Sequence, residues 1–576
     1  MNLKNIFALL KQSERKRSVK ILLLILCSMV LETVSVGFII PLLNTMVNQK
    51  LPASTPQWLH NFFAEQFNGD IERILGFGFG LLISLYIIKG FVFMYATWQQ
   101  SKYVYDIQER MSAELYLSYL SKPYKFHLLQ NSAILIQNVV SEVSLFVNVL
   151  LSYLRILTEV FVIAGIALLL FYVQPVGTTF VILSFGLAGW VLMRFTRNRI
   201  KLWGEQRQFH DGLRIQKIQE GYGGVKEIKL YGREQDFIRL YEYHNHQSAS
   251  VLKKLNTIEP LPRTWLESIA VLELGGLFFV MLWMNSSMNE FVPILALFAS
   301  AAFRLLPSFN RCLSSLQTIR FSQSSVQVLY NEFKNRTQSL AEPTDTIENK
   351  LPLERDIVLN NVNFKYAGSE THSVKDVSLT IKRGEIIGII GTSGSGKSTL
   401  VDIILGLLEP EKGAVLVDGV DINEDTRSWQ DNIGYVPQSI FLIDDTLRKN
   451  VAFGIADDKI DDERVSQAIE AANLNEFIAN RQEGMNIFVG ERGIRISGGQ
   501  RQRIGIARAL YHDPAVLIFD EATSALDSVT EKAVMETINS LGGQRTVLIV
   551  AHRISTLDHC DRIIKMEKGE IVQTGH

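Results

Sequence analysis

The sequence predicts a multi-domain protein, an all-α polytopic membrane domain followed by an α/β domain built around a phosphate-binding loop. Three observations predict it. Apolar stretches long enough to cross a bilayer recur through the first half of the chain and then stop. Beyond them, apolar strand-like runs (IIGII, AVLIF, TVLIV) alternate with helical stretches, the pattern of an α/β domain with a mainly parallel sheet. The first of those runs leads into Gly391, four further residues, and Gly396, Lys397 and Ser398, the spacing of a loop that cradles phosphates.

Composition narrows the class. The 576 residues carry 58 Lys and Arg against 59 Asp and Glu, a net charge of -1. Nucleic-acid binding, which shows as a basic excess, is not expected. A 47% hydrophobic content with mean hydropathy +0.13 fits an apolar part joined to a water-soluble part. Cys27, Cys312 and Cys560 lie far apart with no CxxC spacing, which argues against a disulfide scaffold or zinc ribbon.

A spanning helix needs about 20 predominantly apolar residues. The stretches 19–43, 74–97, 149–173, 176–195, 266–285 and 291–313 meet that requirement. The first is too long for a signal-peptide core and no small-residue cleavage site follows it. Its basic approach, KQSERKRSVK, and the Lys and Arg in KPYK, RNRIK and VKEIK set a positive side. The connections QP and SSMNE carry no Lys or Arg. The positive-inside bias therefore predicts a multi-pass protein with both termini cytoplasmic. No Arg- and Ser-rich transit segment precedes the first span, which points to a bacterial inner membrane. Amphipathic periodicity in DIQERMSAELYLSYL and FIRLYEYHNHQSASVLKKL predicts helices that continue beyond the bilayer. The domains are read as 1–330 membrane, 331–353 polar linker and 354–576 nucleotide-binding.

The phosphate loop comprises Gly391, Thr392, Ser393, Gly394, Ser395, Gly396, Lys397, Ser398 and Thr399. Its glycines let backbone N–H groups approach the phosphates, and the following helix N-terminus favours their charge. Lys397 is placed to reach the β- and γ-phosphates of ATP, and Ser398 to help hold Mg²⁺. AVLIFDE is an apolar strand ending in two carboxylates. Asp520 is positioned for Mg²⁺, and Glu521 to orient or deprotonate the attacking water.

The segment Ile496-Ser497-Gly498-Gly499-Gln500 resembles the LSGGQ signature of ATP-binding-cassette (ABC) proteins, with Ile in place of Leu. The resemblance covers all of 354–576. It implies that Tyr366 in FKYAG stacks on adenine, that Gln438 in YVPQSIFL is the Q-loop glutamine sensing Mg²⁺, and that SALD, ending at Asp527, is the D-loop. It also implies that His552 in VAHRIST is the switch histidine at the γ-phosphate. Catalysis would then rest on Glu521, His552 and Gln438. In that family two cassettes pair head-to-tail, so Ser497, the amides of Gly498 and Gly499, and Gln500 would clamp the nucleotide held by a second copy. The intact signature and Glu521 imply a homodimer.

Six spans fused to one cassette resemble the ABC exporter half-transporters. This implies coupling helices, expected at 126–135 and 216–226, with Glu491 a contact near the signature. Arg304 and Arg311 are seven residues apart, about 10 Å along one helix face. With Arg263 they would suit an anionic group, because guanidinium forks bind phosphate oxygens bidentately. Alternatively Arg311 pairs with Glu159, Glu267 or Glu273. The stretches ETVSVGFIIPLLN, PLPRTWLESIA and FRLLPSFNRCLSSL resemble the bacterial lipid-linked oligosaccharide flippases of protein N-glycosylation. That resemblance implies ATP-driven translocation of a polyprenyl-pyrophosphate-linked oligosaccharide out of membrane lipid, and the amphipathic pattern of QWLHNFFAEQF separately suggests an external helix at 58–67. Multidrug, lipid A and peptide exporters are the rival readings, and an ATP-gated channel is the rival of another class.

Overall fold

The computed structural model describes residues 3–48, 50–51, 57–67, 70–173, 175–283, 288–336, 351–479, 481–490, 496–522, 531, 536, 545–551 and 557–575. They fall into two units: 1–122 with 129–340, and 123–128 with 341–576.

The first unit is helical. It opens with α1 (Leu3–Leu9), α2 (Gln12–Gly37), α3 (Ile39–Asn48) and α4 (Gln57–Phe67). Next is α5 (Ile71–Leu120), which starts where the Asp70 carboxylate accepts the Glu72 N–H, a cap that satisfies a donor the helix leaves open. The short α6 (Tyr124–Leu129) follows in sequence, its residues up to 128 belonging to the second unit, and Asn131 caps α7 (Ser132–Gln137) in the same way. A π-helical turn, Asn138–Glu142, joins α7 to α8 (Val143–Val173). Then come α9 (Pro175–Gly223), α10 (Val225–Tyr231), α11 (Glu234–Ile258), α12 (Leu261–Trp283), α13 (Met288–Phe321) and α14 (Gln323–Arg336).

Among the described residues, Gln12–Gly37, Ile71–Leu120 and Ser132–Tyr172 are long and apolar enough to cross a membrane. The other three expected spans fall on α9, α12 and α13, some side chains of which are not described. On α5 the large apolar side chains point outward: Phe77, Ile83, Ile87, Phe91 and Met94 are exposed. Water does not tolerate so long an apolar stripe, whereas lipid does. Inside the unit the apolar residues recur at helical spacing. Val181, Phe185, Ala188 and Leu192 of α9 meet Leu266 and Ala270 of α12 and Leu313 of α13, and Phe185 stacks on Phe309 at 5.3 Å.

Four local features differ from the sequence expectations. The first span breaks at Phe38, three residues before Pro41, which has no N–H to continue the ladder. The short helix expected at 126–135 is Tyr124–Leu129, ended by the cap that starts α7. The one expected at 216–226 is Val225–Tyr231, because α9 continues to Gly223 and Gly224 leaves helical geometry. Finally, α14 runs to Arg336, into the stretch 331–353 read as a linker, and buries Val326 and Leu329.

In the second unit the strands β1 (Asp356–Phe364), β2 (Val374–Lys382), β4 (Lys412–Val417) and β5 (Val420–Asp421) form an antiparallel sheet in the order β2-β1-β4-β5. This sheet was not expected from the sequence. The expected parallel sheet is present as β10-β9-β3-β8-β7-β6. It comprises β3 (Ile386–Gly391), β6 (Ile433–Val436), β7 (Val516–Asp520), β8 (Thr546–Val550), β9 (Arg562–Glu567) and an antiparallel β10 (Glu570–Gly575). Every residue of β7 and β8 is buried, as continuous apolar runs covered on both faces require. Helix α15 (Lys397–Ile404) follows β3. Between β5 and β7 lie α16 (Thr426–Gln430), α17 (Leu447–Val451), α18 (Asp462–Ala471), α19 (Asn475–Ala479) and α20 (Gly498–Leu510).

Trp429 of α16 is fully buried, and its indole N–H donates to the Ile404 carbonyl at 2.7 Å. It thus fills the core beneath α15 and satisfies a carbonyl at that helix's C-terminus. Trp429→Ala should destabilise this unit by about 3–5 kcal/mol, read as a lower temperature of heat inactivation of ATPase activity. Trp429→Phe, which keeps most of the volume and loses the donor, should fall in between.

Candidate functional site

The loop between β3 and α15 is shaped by three glycines for different reasons. A Cβ on Gly391 would sit 2.4 Å from the Met566 carbonyl oxygen and 2.6 Å from Ser395 Oγ. Gly396, at φ 100°, would clash with the Ser373 carbonyl at 2.2 Å. Gly394 has open space but a φ of 78°, a left-handed conformation that glycine adopts without steric cost. The loop therefore passes close to the β9–β10 hairpin and turns into α15 with its N–H groups free of side-chain cover. Lys397 is buried, and its ammonium donates to the Gly391 and Thr392 carbonyls at 2.9 and 3.1 Å. Two of its three donors are thus used in orienting it. Ser395 Oγ is buried with no hydrogen-bond partner among the described residues. A bare-backbone cradle, an orphaned hydroxyl and a buried cation fit a polyphosphate.

The other predicted residues arrive from neighbouring strand ends. Asp520 closes β7 and is largely buried. Glu521 follows it with φ 51°, a left-handed backbone that is uncommon for glutamate and that stores strain. The Glu521 N–H donates to the Val550 carbonyl at 3.0 Å, which holds the turn. Gln438, just after β6, donates its amide to Glu521 Oε2 at 2.6 Å. The tail of β6, the end of β7 and the loop after β3 thus bring Gln438, Asp520, Glu521 and Lys397 to the carboxyl ends of parallel strands, where open α/β sheets bind ligands. Tyr366 packs edge-on against Phe364 at 5.0 Å, and its hydroxyl is 3.3 Å from Thr399 Oγ1. Ser398 on α15 and Asp520 are an oxygen donor pair that suits Mg²⁺.

Ser497 begins α20 with a capping box. Its Oγ accepts the Gln500 N–H at 3.2 Å, and the Gln500 side chain accepts the Ser497 N–H at 3.0 Å. The glycines between them start the helix, and a Cβ on Gly498 would meet nothing within 4 Å. Among the described residues, Ser497 and Gln500 bond each other rather than the loop 391–399. His552, Asp527 and Glu491 lie outside the described residues.

In the membrane unit, Arg263 and Arg311 line one cavity of about 530 Å³ together with Glu267, Phe303, Leu306, Pro307 and Asn310. Each arginine also has an acid. Arg263 Nε is 2.8 Å from Glu267, and Arg311 Nε is 2.5 Å from Glu159 Oε1 while its Nη2 donates to Oε2 at 3.2 Å. Glu273 instead accepts from the Ser184 hydroxyl. Two of the three arginines thus line one cavity, and of the three acids Glu159 is the partner of Arg311. The Arg304 side chain lies outside the described residues.

Comparison with known proteins decides the family. The sequence pattern of the ABC transporter transmembrane region matches 21–304, and that of the ABC transporter matches 374–524. An ATP-dependent lipid A-core flippase of Paraburkholderia xenovorans is 30% identical over 499 residues, 84% of this chain and 80% of that protein. The chain belongs to the ABC transporter family. The transporter is also 28% identical, over 90% of its length and 87% of the relative's, to an ATP-dependent lipid A-core flippase of Cupriavidus metallidurans. A toxin RTX-I translocation ATP-binding protein of Actinobacillus pleuropneumoniae is 45% identical, but over only 41% of this chain and 34% of that one. The solved structure of a bacterial Atm1-family ABC exporter with ATP bound matches with TM-score 0.78 over 97% of this chain and 95% of that one, at 21% identity. This last match shows a common fold. The transporter is an ATP-hydrolysing ABC exporter of the half-transporter type, with its membrane region and its ATPase in one chain.

Two residues of the transporter's ATPase unit carry no motif and were not expected. Asp402, on α15 after the loop, has its carboxyl pushed up to about 6 by burial first and by the charge of Asp520 second. A carboxylate five residues past the loop lysine was the available signal. Arg508 of α20 donates to the carbonyls of Phe441 and Asn450, both at 2.9 Å. It stacks over Phe453 at 4.4 Å, and burial lowers its pKa to about 10. It ties the helix that carries the signature to the segment following Gln438.

Proposed function

We propose that the transporter works as a homodimer in a bacterial inner membrane and exports an anionic amphiphile, with a polyprenyl-pyrophosphate-linked oligosaccharide as the substrate it suits best. The observation that carries this reading is the cavity on which Arg263 and Arg311 converge against Phe303, Leu306 and Pro307. Cationic forks beside an apolar wall match a phosphorylated head on a hydrocarbon tail. The lipid A-core flippases named among the relatives support a lipid over a drug or peptide, and the toxin-translocating relative matches less than half of the chain.

The loop 391–399 and Tyr366 hold ATP, with Lys397 on the β- and γ-phosphates. Ser398, Gln438 and Asp520 would hold Mg²⁺, which when bound neutralises charge on the transferred phosphoryl group. Glu521 orients and deprotonates the attacking water, and the amide of Gln438 on Glu521 Oε2 aims that carboxylate. His552 contacts the γ-phosphate. The Ser497 hydroxyl and the first N–H groups of α20 sit at a helix N-terminus, which attracts anions, and they close on the nucleotide held by the second copy.

The test targets Arg311. Removing it alone would leave Glu159, only 7% exposed, as an uncompensated charge. The double variant Glu159→Gln/Arg311→Gln removes both charges together. Stimulation of ATPase activity by a polyprenyl-pyrophosphate oligosaccharide should fall by about tenfold or more, the scale of one lost charge-assisted hydrogen bond, while basal ATPase activity stays within about twofold. Unchanged stimulation would remove the arginine cavity from substrate recognition.

A further inference from the structure

A second basic cavity lies far from Arg263 and Arg311 in sequence, between α2 and α5. It holds about 290 Å³ and is lined on α2 by Arg17, Lys20, Ile21 and Leu24, and on α5 by residues that include Gln99 and Lys102. The spacing on each helix explains why these side chains converge. Positions 17, 20, 21 and 24 share one face, as do 95, 99 and 102.

Its chemistry is divided along its length. Arg17 shares its charge with Asp106 at 3.0 Å. Lys20 and Lys102 have no acidic partner within 4 Å among the described residues, and Lys102 lies 5.7 Å from the Trp98 ring. Three cations therefore face one acid at the outer end. Gln99 donates to the Tyr95 hydroxyl at 3.0 Å. Toward the apolar run of α2 the wall becomes Ile21 and Leu24.

Position along the helices fixes what can reach it. Lys20 immediately precedes the run ILLLILC, and Lys102 lies just past the apolar part of α5, beside Tyr95 and Trp98. Aromatic and basic residues of this kind mark the level of lipid head groups. The flanking side chains Val19, Leu23, Phe91 and Met94 are exposed, so the cavity opens toward the hydrocarbon as well as the aqueous boundary. A basic hollow between two spans at that level recognises a phosphate attached to a lipid.

We propose that the cavity between α2 and α5 binds the phosphate head group of an anionic bilayer phospholipid, which bridges Lys20 and Lys102 and lays its chains over Leu24. The site is distinct from the transport cavity and does not depend on what is exported. The bound lipid clips the first span to the second at the boundary carrying the basic N-terminal segment.

The experiment compares the full-length wild type with Lys20→Gln/Lys102→Gln. Both are reconstituted with equal amounts of phosphatidylglycerol and phosphatidylcholine, and lipids retained after mild detergent extraction are counted by native mass spectrometry without nucleotide. Each lysine near a membrane surface is worth about fivefold in affinity for anionic lipid. The wild type should retain phosphatidylglycerol over phosphatidylcholine by about tenfold or more, and the double variant should retain the two nearly equally. Basal ATPase activity should be unchanged, and Lys20→Arg/Lys102→Arg should restore the preference. Equal retention of phosphatidylglycerol by wild type and double variant would overturn the proposal. A third arm adds millimolar inorganic phosphate. Displacement of the lipid by it would assign the cavity to a free anion and overturn the lipid reading, whereas displacement only by a lysophosphatidylglycerol supports it.

Discussion

Glu521→Gln should bind ATP as tightly as the wild type and hydrolyse it about 10³-fold more slowly, the middle of the range for loss of a general base. The substitution keeps the shape of the side chain and removes its ability to take a proton. Fold damage is not the expected cause of the loss. The left-handed turn at Glu521 is held by its own N–H on the Val550 carbonyl, a contact that no side-chain change removes. The Gln438 amide, now on Glu521 Oε2 at 2.6 Å, finds the carbonyl of the new glutamine in the same place. Equilibrium binding of a fluorescent ATP analogue and single-turnover phosphate release separate the two effects. Wild-type turnover in this variant would remove Glu521 from the chemistry.

Gly498→Asp should also abolish ATPase activity, by about 10²-fold or more, the scale for losing a donor at a transferring group. Its cause would be different. The new Cβ meets nothing within 4 Å among the described residues, and the capping box joins Ser497 to Gln500 without Gly498. A single subunit should therefore fold and bind ATP normally. The damage would come from placing a carboxylate where the helix N-terminus and the Ser497 hydroxyl meet a γ-phosphate held by the second copy. Co-expressed wild-type and Gly498→Asp subunits, purified as mixed pairs with separate tags, should keep one competent site out of two. Full activity of the Gly498→Asp homodimer would contradict the head-to-tail arrangement.

The segments of the candidate nucleotide site were legible because each is local. The loop 391–399, the AVLIFDE strand and ISGGQ are each short contiguous segments, and strand order then brings the first two to the carboxyl ends of one sheet. The parallel sheet was legible for the same reason, since its strands are uninterrupted apolar runs. The antiparallel sheet was not. Strand β1 alternates burial and carries Asn360, Asn361 and Asn363, so its periodicity is weak, and its partners β2 and β4 are fixed by tertiary pairing.

Charge pairing in the membrane half was also out of reach. Arg311 and Glu159 are 152 positions apart, and hydropathy allowed Glu159, Glu267 or Glu273 equally. Packing of α8 against α13 makes the choice. The fully buried Glu142 likewise meets Arg207 across 65 positions, at 3.1 Å. Helix ends depend on similarly small effects. Two glycines set the end of α9, and α14, with Val326 and Leu329 buried, takes in the first polar residues of the stretch read as a linker, up to Arg336.

The central claim is that ATP hydrolysis at Glu521 drives an anionic amphiphile across the bilayer. Its most direct test follows a labelled polyprenyl-pyrophosphate oligosaccharide in proteoliposomes, using loss of accessibility to an external sugar-modifying enzyme as the signal. Wild-type protein with ATP should deplete the accessible pool, whereas Glu521→Gln with ATP, or wild type without it, should leave it unchanged. Robust wild-type ATPase activity with no change in accessibility would contradict the claim.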